Sequence, residues 1–147
     1  MSDEFDRDLT SACEELDAAR RELLPVVGAL SDADLDRERR GGWTVRRVLA
    51  HVIESEWLYA NLVAHLRGAP VAGDVVSGGP ASSAEAAQRL DASRRALRAA
   101  LDGVDEASFY RLGVVGREEY SIISVLENTA NHDREHAGQI QAILAAR

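Results

Sequence analysis

The sequence has no lysine, a single cysteine and no long apolar run, and each absence narrows what the protein can do. Without lysine, Schiff-base chemistry and a lysine general base are excluded. The single Cys13 excludes an internal disulfide and a cysteine-rich metal site. The acidic amino terminus predicts neither a signal peptide nor a membrane span, so we expect a cytoplasmic protein.

Acidic residues outnumber basic ones by 25 to 17, so the formal net charge is -8, and the arginines form no long run. Nucleic acids and anionic membranes both require a positive surface, so we expect neither as a partner. The 147 residues, of which 46% are hydrophobic, are enough for one domain with its own core, and we expect that domain to span 1–147.

Two helices are predicted in the first half of the chain, where apolar residues recur at three- and four-residue steps. The first covers about 3–30, with a kink or break expected at Pro25. The second follows the N-cap residue Thr44 and ends near residue 67. Its apolar positions cover more than one face, so it lies centrally in the fold or packs on a second subunit.

Two further helices are predicted in the second half. Ser82 and Glu85 form a capping-box pattern that opens a helix through about residue 101. Ser121 caps the last helix, 122–145. The stretch 68–80 is predicted to be a loop, and 109–120 an irregular or short extended segment with a possible hairpin. Four amphipathic helices bury their apolar faces most simply as an all-α four-helix bundle.

Three of the four histidines fall where a helical bundle could bring them together. His132 and His136 are four residues apart on the last helix, so their imidazoles share one face. His51 lies among apolar residues of the second helix. Three imidazoles from facing helices can hold one ion and leave positions open, which is typical of a catalytic metal. The alternative is that each imidazole makes an ordinary hydrogen bond in a polar pocket.

The fourth histidine and two polar neighbours of the cluster are not expected to bind the ion. His65 follows His51 by about 21 Å along a straight helix, so it cannot share the ion. Asn128 lies one turn before His132 and could orient an imidazole, although an ordinary hydrogen bond within the bundle is the simpler expectation. Glu54 could accept a hydrogen bond from His51, although a solvated or ion-paired carboxylate is the simpler expectation.

Four other residues receive structural interpretations. Asp133 and Glu135 flank the histidine pair and are predicted to face solvent. Trp43 is predicted to pack the start of the second helix against the core, with lining of the pocket as the alternative. Cys13 lies on the apolar face of the first helix and is predicted to be a core residue rather than a nucleophile.

Two stretches resemble the signatures of a known family. Residues Gly42–His51, Gly-Trp-Thr-Val-Arg-Arg-Val-Leu-Ala-His, resemble the W-S/T-V-R-x-x-L-x-H signature of DinB-like proteins. Residues His132–Ile140 are similar to that family's H-D-x-x-H-x-x-Q-I signature, and the helix lengths also agree. The resemblance implies a DinB/YfiT-like up-down-down-up four-helix bundle. It further implies a divalent metal ion held by His51, His132 and His136.

The resemblance also implies a class of reaction. Such proteins include transferases and isomerases that use low-molecular-weight thiols such as mycothiol or bacillithiol, and homodimers are common among them. The leading expectation is therefore a metal-dependent enzyme that acts on a small-molecule substrate, a thiol S-transferase or isomerase with zinc or nickel, or alternatively iron or manganese, and a thiol cosubstrate. No catalytic side chain is predicted. A metal-dependent hydrolase and a non-catalytic binding or stress-response module on the same bundle remain as alternatives.

Overall fold

The structure is a computed structural model that describes residues 2–70, 73 and 77–146. The described elements are α1 (Asp3–Gly28), a 3₁₀ turn (Ala33–Asp36), α2 (Val45–Leu66), α3 (Ser83–Leu101), α4 (Glu106–Tyr110), β1 (Gly113–Val115), β2 (Glu118–Tyr120) and α5 (Ile122–Ala145). The four long helices α1, α2, α3 and α5 confirm the predicted bundle. Part of the predicted loop 68–80, namely 71, 72 and 74–76, lies outside the described residues. No helix in the described part of the chain is both long and apolar enough to cross a bilayer.

The predicted helix starts are largely confirmed by their caps. Thr44 Oγ1 accepts a hydrogen bond of 3.1 Å from the Arg47 amide, and Ser82 Oγ accepts one of 3.1 Å from the Glu85 amide. The reciprocal half of the capping box at Ser82 differs from the prediction, because the Glu85 carboxylate accepts from the Ala81 amide at 3.0 Å. A complete capping box is present instead at the start of α5.

Helix α1 is not broken at Pro25, contrary to that part of the prediction, and it continues to Gly28. Proline removes one amide donor from a helix. Here it lies close to the helix end, and Leu23 and Val27 on either side of it are fully buried. Core packing of the last turn outweighs the missing hydrogen bond.

The segment before α5 contains the hairpin that the sequence only suggested. Strands β1 and β2 pair antiparallel, with Gly113 opposite Tyr120 and Val115 opposite Glu118. The hairpin approaches α2 closely at Gly113, since a Cβ atom there would lie 2.5 Å from Leu66 Cδ2 and the leucine side chain would have to move. The hairpin therefore closes one end of the bundle against α2.

Contacts between helix ends confirm the up-down-down-up order. Arg67, just after α2, donates to the carbonyl of Ala100 near the end of α3 at 2.7 Å, so α2 and α3 run parallel. Ser83, at the start of α3, donates to the carbonyl of Val27 near the end of α1 at 2.6 Å, so α1 and α3 are antiparallel. Helix α2 packs against both α3 and α5, just as α1 packs against α5 and α3, so α2 is no more central in the bundle than its neighbours.

A layer of buried charges divides the core into two apolar clusters. This ionic layer has one residue from each long helix: Arg20, Glu56, Arg94 and Asp133. Arg20 donates to Glu56 at 2.8 Å and to Asp133 at 2.9 Å, and Arg94 donates to the same carboxylates at 2.7 Å and 3.0 Å. Each carboxylate thus bridges two arginines, and the two positive charges balance the two negative ones.

The prediction that Asp133 faces solvent is wrong, because only 2% of this residue is exposed. Asp133 follows Ala130 by three residues and precedes Ala137 by four, and both alanines are buried. The helical period therefore places it on the core-facing side. The two arginines supply the hydrogen bonds that a buried carboxylate requires.

Candidate metal centre

Three histidine side chains converge between α2 and α5 beside the ionic layer. The Nε2 atom of His132 lies 3.0 Å from His51 Nε2 and 3.0 Å from His136 Nε2. All three ligand atoms lie within 4.8 Å of one another. The rings meet edge to face, with centroids 4.3 to 4.9 Å apart. The structure thus brings together the three residues that the sequence singled out.

The hydrogen bonding of His136 determines which of its nitrogens is free. Its Nδ1 atom lies 2.6 Å from Gln139 Oε1, and an amide oxygen can only accept. Nδ1 therefore carries the proton in the neutral ring, and Nε2 presents a lone pair to the other two histidines. Gln139 is part of the H-D-x-x-H-x-x-Q-I signature, but no role in the site was predicted for it, although its position three residues after His136 places it on the same face.

The chemistry of the three nitrogens fits a cation. His132 Nε2 contacts both neighbouring Nε2 atoms, yet it can donate at most one proton between them. Hydrogen bonding among the three rings therefore leaves at least one lone pair directed at another nitrogen. A divalent ion can accept all three lone pairs. Three imidazole ligands leave coordination positions on the ion open for water or substrate.

Electrostatics keep two of these rings neutral. Burial lowers the pKa of His132 to about 4, with His136 and His51 adding to the effect and Glu135 and Asp133 opposing it. Burial, followed by the proximity of His136, also lowers the pKa of His51, while Glu54 and Glu135 partly offset the shift. Metal binding requires the neutral imidazole, so at neutral pH these rings need not lose a proton first.

Aromatic side chains surround the cluster. The Trp43 ring packs edge to face against His51, with 5.3 Å between the ring centroids. The Tyr59 ring packs in the same way against His132, with 6.0 Å between the centroids. Burial raises the pKa of Tyr59, and the charges of Tyr120 and Glu135 add to it, so the phenol stays protonated at neutral pH. Trp43 was predicted to pack against the core, with lining of the pocket as the alternative. Because 37% of this residue is exposed and it lines a cavity beside His51, the structure favours the alternative.

The other residues considered in the sequence do not join the three histidines in the cluster formed by the described residues. Glu54 Oε1 accepts a hydrogen bond of 3.0 Å from the Gly78 amide, so it fastens a loop rather than His51. Asn128 and Glu135 are exposed, as is His65, which lies outside the cluster as expected. Cys13 packs against the apolar core as predicted, and burial raises the pKa of its thiol.

A cavity of about 410 Å³ opens beside the cluster on the α2 side. Its lining includes Trp43, Arg46, Arg47, His51 and Glu54. Another cavity, of about 270 Å³, lies between α1 and α5 and is lined by none of the three histidines. Only the first of these two gives a small molecule access to the imidazole cluster.

Comparisons with known proteins agree with the fold. The sequence model of the DinB superfamily matches residues 15–140. The solved structure of TT2238, a four-helix bundle protein, aligns over 90% of this chain and 96% of its own, with a TM-score of 0.70 and 23% identity. No curated protein matches the chain. The family match covers most of the sequence, so the chain belongs to the DinB superfamily.

Proposed function

We propose that this member of the DinB superfamily binds one divalent metal ion through His51, His132 and His136 and acts on a small molecule. The observation that carries the proposal is the convergence of three Nε2 atoms within 4.8 Å. The contact of His136 Nδ1 with Gln139 supports it, because it directs a lone pair into the cluster. Such an orienting partner is a common feature of metal-binding histidines.

Zinc and nickel fit this ligand set best, with iron as the next alternative and manganese, which prefers oxygen ligands, the least favoured of the four. Imidazole nitrogen is a borderline ligand that suits zinc, nickel, copper and iron, whereas carboxylate-rich sites suit magnesium and calcium. No carboxylate in the described residues joins the three histidines in the cluster. A nitrogen-only site therefore disfavours magnesium and calcium.

The chemistry proposed is transfer or isomerisation with a low-molecular-weight thiol of the mycothiol or bacillithiol type. A bound divalent ion supplies Lewis acidity, which lowers the pKa of a coordinated thiol or water. The chain's own Cys13 is unsuited as the nucleophile, since its pKa is raised and it packs against the core. The reacting thiol must then come from a cosubstrate, and the cavity beside His51 offers it a path.

Metal content tests the binding site. Protein prepared without an affinity tag is analysed by elemental mass spectrometry together with His51→Ala, His132→Ala and His65→Ala variants. His65→Ala is the matched control, since it removes an exposed histidine from the same helix as His51. We expect about one equivalent of metal in the wild type and the control and little in the other two variants. Equal content in all four proteins contradicts the site.

The reaction class is tested separately with the metal-loaded protein. An electrophilic substrate such as 1-chloro-2,4-dinitrobenzene is incubated with and without a low-molecular-weight thiol, and the rate is compared with that of His51→Ala. Rate acceleration that requires both the thiol and His51 supports thiol transfer. Hydrolysis of a test ester without thiol favours the hydrolase alternative, and ligand binding without turnover favours the binding module.

We also propose that the protein forms a homodimer. Exposed apolar side chains support this, since Leu58 on α2 is 57% exposed and Leu112 and Val114 at the hairpin are 65% and 66% exposed. Apolar surface of this kind is common at subunit interfaces. Light scattering after size exclusion measures the mass directly, and Leu58→Glu should shift a dimer towards the monomer.

A further inference from the structure

The cavity beside the histidines contains two arginines that differ in how their charge is used. Arg46 donates to Asp36 Oδ1 at 3.0 Å and to the carbonyl of Pro80, so it joins the start of α2 to the segment before α3. Arg47 is exposed, and its guanidinium has neither a hydrogen bond nor an ion pair with any acceptor in 2–70, 73 or 77–146. Within the described part of the chain, the Arg47 cation at the cavity therefore has no acceptor and is available to a ligand.

Trp43 orients that cation. The Cζ atom of Arg47 lies 4.6 Å from the centroid of the Trp43 ring, within the range of a cation–π interaction. This contact occupies none of the guanidinium N–H donors in a hydrogen bond, so they remain available to a planar acceptor such as a carboxylate. The same indole ring packs edge to face against the His51 imidazole, with 5.3 Å between the ring centroids. The Trp43 side chain therefore connects Arg47 with the histidine cluster.

The charge along the cavity changes from positive at Arg47 to negative at Glu54. Arg47 and His51 are four residues apart on α2, so their side chains are neighbours. Glu54 lies about two turns beyond Arg47 on the same face, and its carboxylate is held there by the Gly78 amide. An anionic group is thus attracted at one end and repelled at the other, with His51 between them.

The overall charge of the protein makes the local arginine decisive. With a formal net charge of -8, the chain as a whole repels anions. An anionic ligand must therefore be held by a specific cation, and charge-assisted pairs between guanidinium and carboxylate are among the strongest available.

Building on the metal centre proposed above, we propose that this cavity selects small molecules that carry a carboxylate next to their metal-binding group. The carboxylate accepts hydrogen bonds from Arg47, and the metal-binding group reaches the histidines. Arg47 is then a specificity-determining residue, while Trp43 positions it and Glu54 fixes the orientation of the ligand.

Thiol binding to the cobalt-loaded protein tests this directly, because a thiolate ligand changes the visible absorption of Co²⁺. The probes are 3-mercaptopropionate, which carries a carboxylate, and 2-mercaptoethanol, which does not. We expect the preference for 3-mercaptopropionate to fall about tenfold in Arg47→Gln. Comparing the ratio of dissociation constants between proteins removes the intrinsic difference between the two thiols. Arg95→Gln is the matched control, since it removes one charge from a 74% exposed side chain on α3.

A second measurement needs no metal. Trp43 is one of only two tryptophans, so in a Trp57→Phe background its fluorescence reports on this cavity alone. We expect benzoate to change this fluorescence saturably and benzyl alcohol to have a much weaker effect. Adding Arg47→Gln should abolish the difference, whereas adding Arg95→Gln should preserve it.

The two measurements separate the two proposals. If cobalt does not bind but benzoate recognition depends on Arg47, the metal centre fails and the carboxylate site stands. If cobalt binds at the histidines but neither carboxylate preference changes in Arg47→Gln, the metal centre stands and the carboxylate site is overturned. A loss of preference in Arg95→Gln equal to that in Arg47→Gln also overturns it, because net charge alone would then explain the effect.

Discussion

Arg20 Nε donates a hydrogen bond of 2.9 Å to Asp133 Oδ2, which joins α1 to the residue directly after His132. Arg94 of α3 binds the same oxygen at 3.0 Å. Two helices that contribute no histidine thus hold the part of α5 that presents His132 and His136. The ionic layer and the histidine cluster therefore share one helical segment, and a change in the layer should affect both stability and the site.

Removing the carboxylate of Asp133 should destabilise the fold strongly. Asp133→Ala leaves two buried arginines with one carboxylate partner, and breaking such a pair costs about 3–5 kcal/mol. Chemical denaturation measures the free energy of unfolding. The control is Asp91→Ala, which removes an exposed partner of Arg95 and should cost at most about 0.5 kcal/mol. Equal losses in the two variants would show that the buried layer contributes no more than a surface pair.

The metal-free protein should lose stability as the pH falls below about 6.5. His132 has a pKa of about 4 when folded, below the usual histidine value of about 6.5 when unfolded. The unfolded chain therefore binds more protons in this window. The stabilising contribution is present above pH 6.5 and is lost as the pH falls towards 4. Denaturant titrations at several pH values measure the free energy of unfolding. This free energy should fall less steeply with decreasing pH in His132→Ala than in the wild type. An unchanged slope between pH 6.5 and 4 would contradict the assigned shift.

Gln139 should strengthen metal binding without being a ligand. Its Oε1 atom lies 2.6 Å from His136 Nδ1 and keeps the Nε2 lone pair directed into the cluster. Loss of such a partner typically weakens metal affinity by about 10- to 100-fold. Competition with a chromophoric chelator measures this for Gln139→Ala, with the exposed Gln141→Ala as the control on the same helix. Affinity equal to the wild type in both variants would remove Gln139 from the site.

Cys13 should react slowly with thiol reagents. Burial raises the pKa of its thiol, so less of the reactive thiolate is present at neutral pH than for free cysteine. Iodoacetamide labelling followed by mass spectrometry should give a rate well below that of glutathione in native protein. Labelling should reach the glutathione rate after unfolding. Rapid labelling of the folded protein would reopen a role for Cys13 as a nucleophile.

Much of the fold could be predicted from the sequence because it depends on local, periodic signals. Apolar spacing and the caps Thr44, Ser82 and Ser121 give helix starts that the structure confirms. The hairpin was only suggested, since two strands of three residues each carry little pattern. The continuation of α1 past Pro25 depends on tertiary packing, which a local rule does not include.

The site was predictable in part for a related reason. The four-residue step between His132 and His136 determines a shared face, but the partner of each ring depends on side-chain direction, as with Gln139. Asp133 is predicted to face solvent because it projects from a different face of the helix than the histidine pair, yet its position between the buried Ala130 and Ala137 places it in the core. Charged residues inside an apolar stripe signal a buried pair when opposite charges occupy the facing helices.

The most direct test of the central claim is an anomalous diffraction map of tag-free crystals, measured on both sides of the zinc and nickel absorption edges. We expect one strong peak bonded to the Nε2 atoms of His51, His132 and His136, and loss of that peak on the low-energy side of one edge identifies the metal. A peak at another location, or three ordered imidazoles with no anomalous scatterer after incubation with zinc and nickel, would contradict the claim.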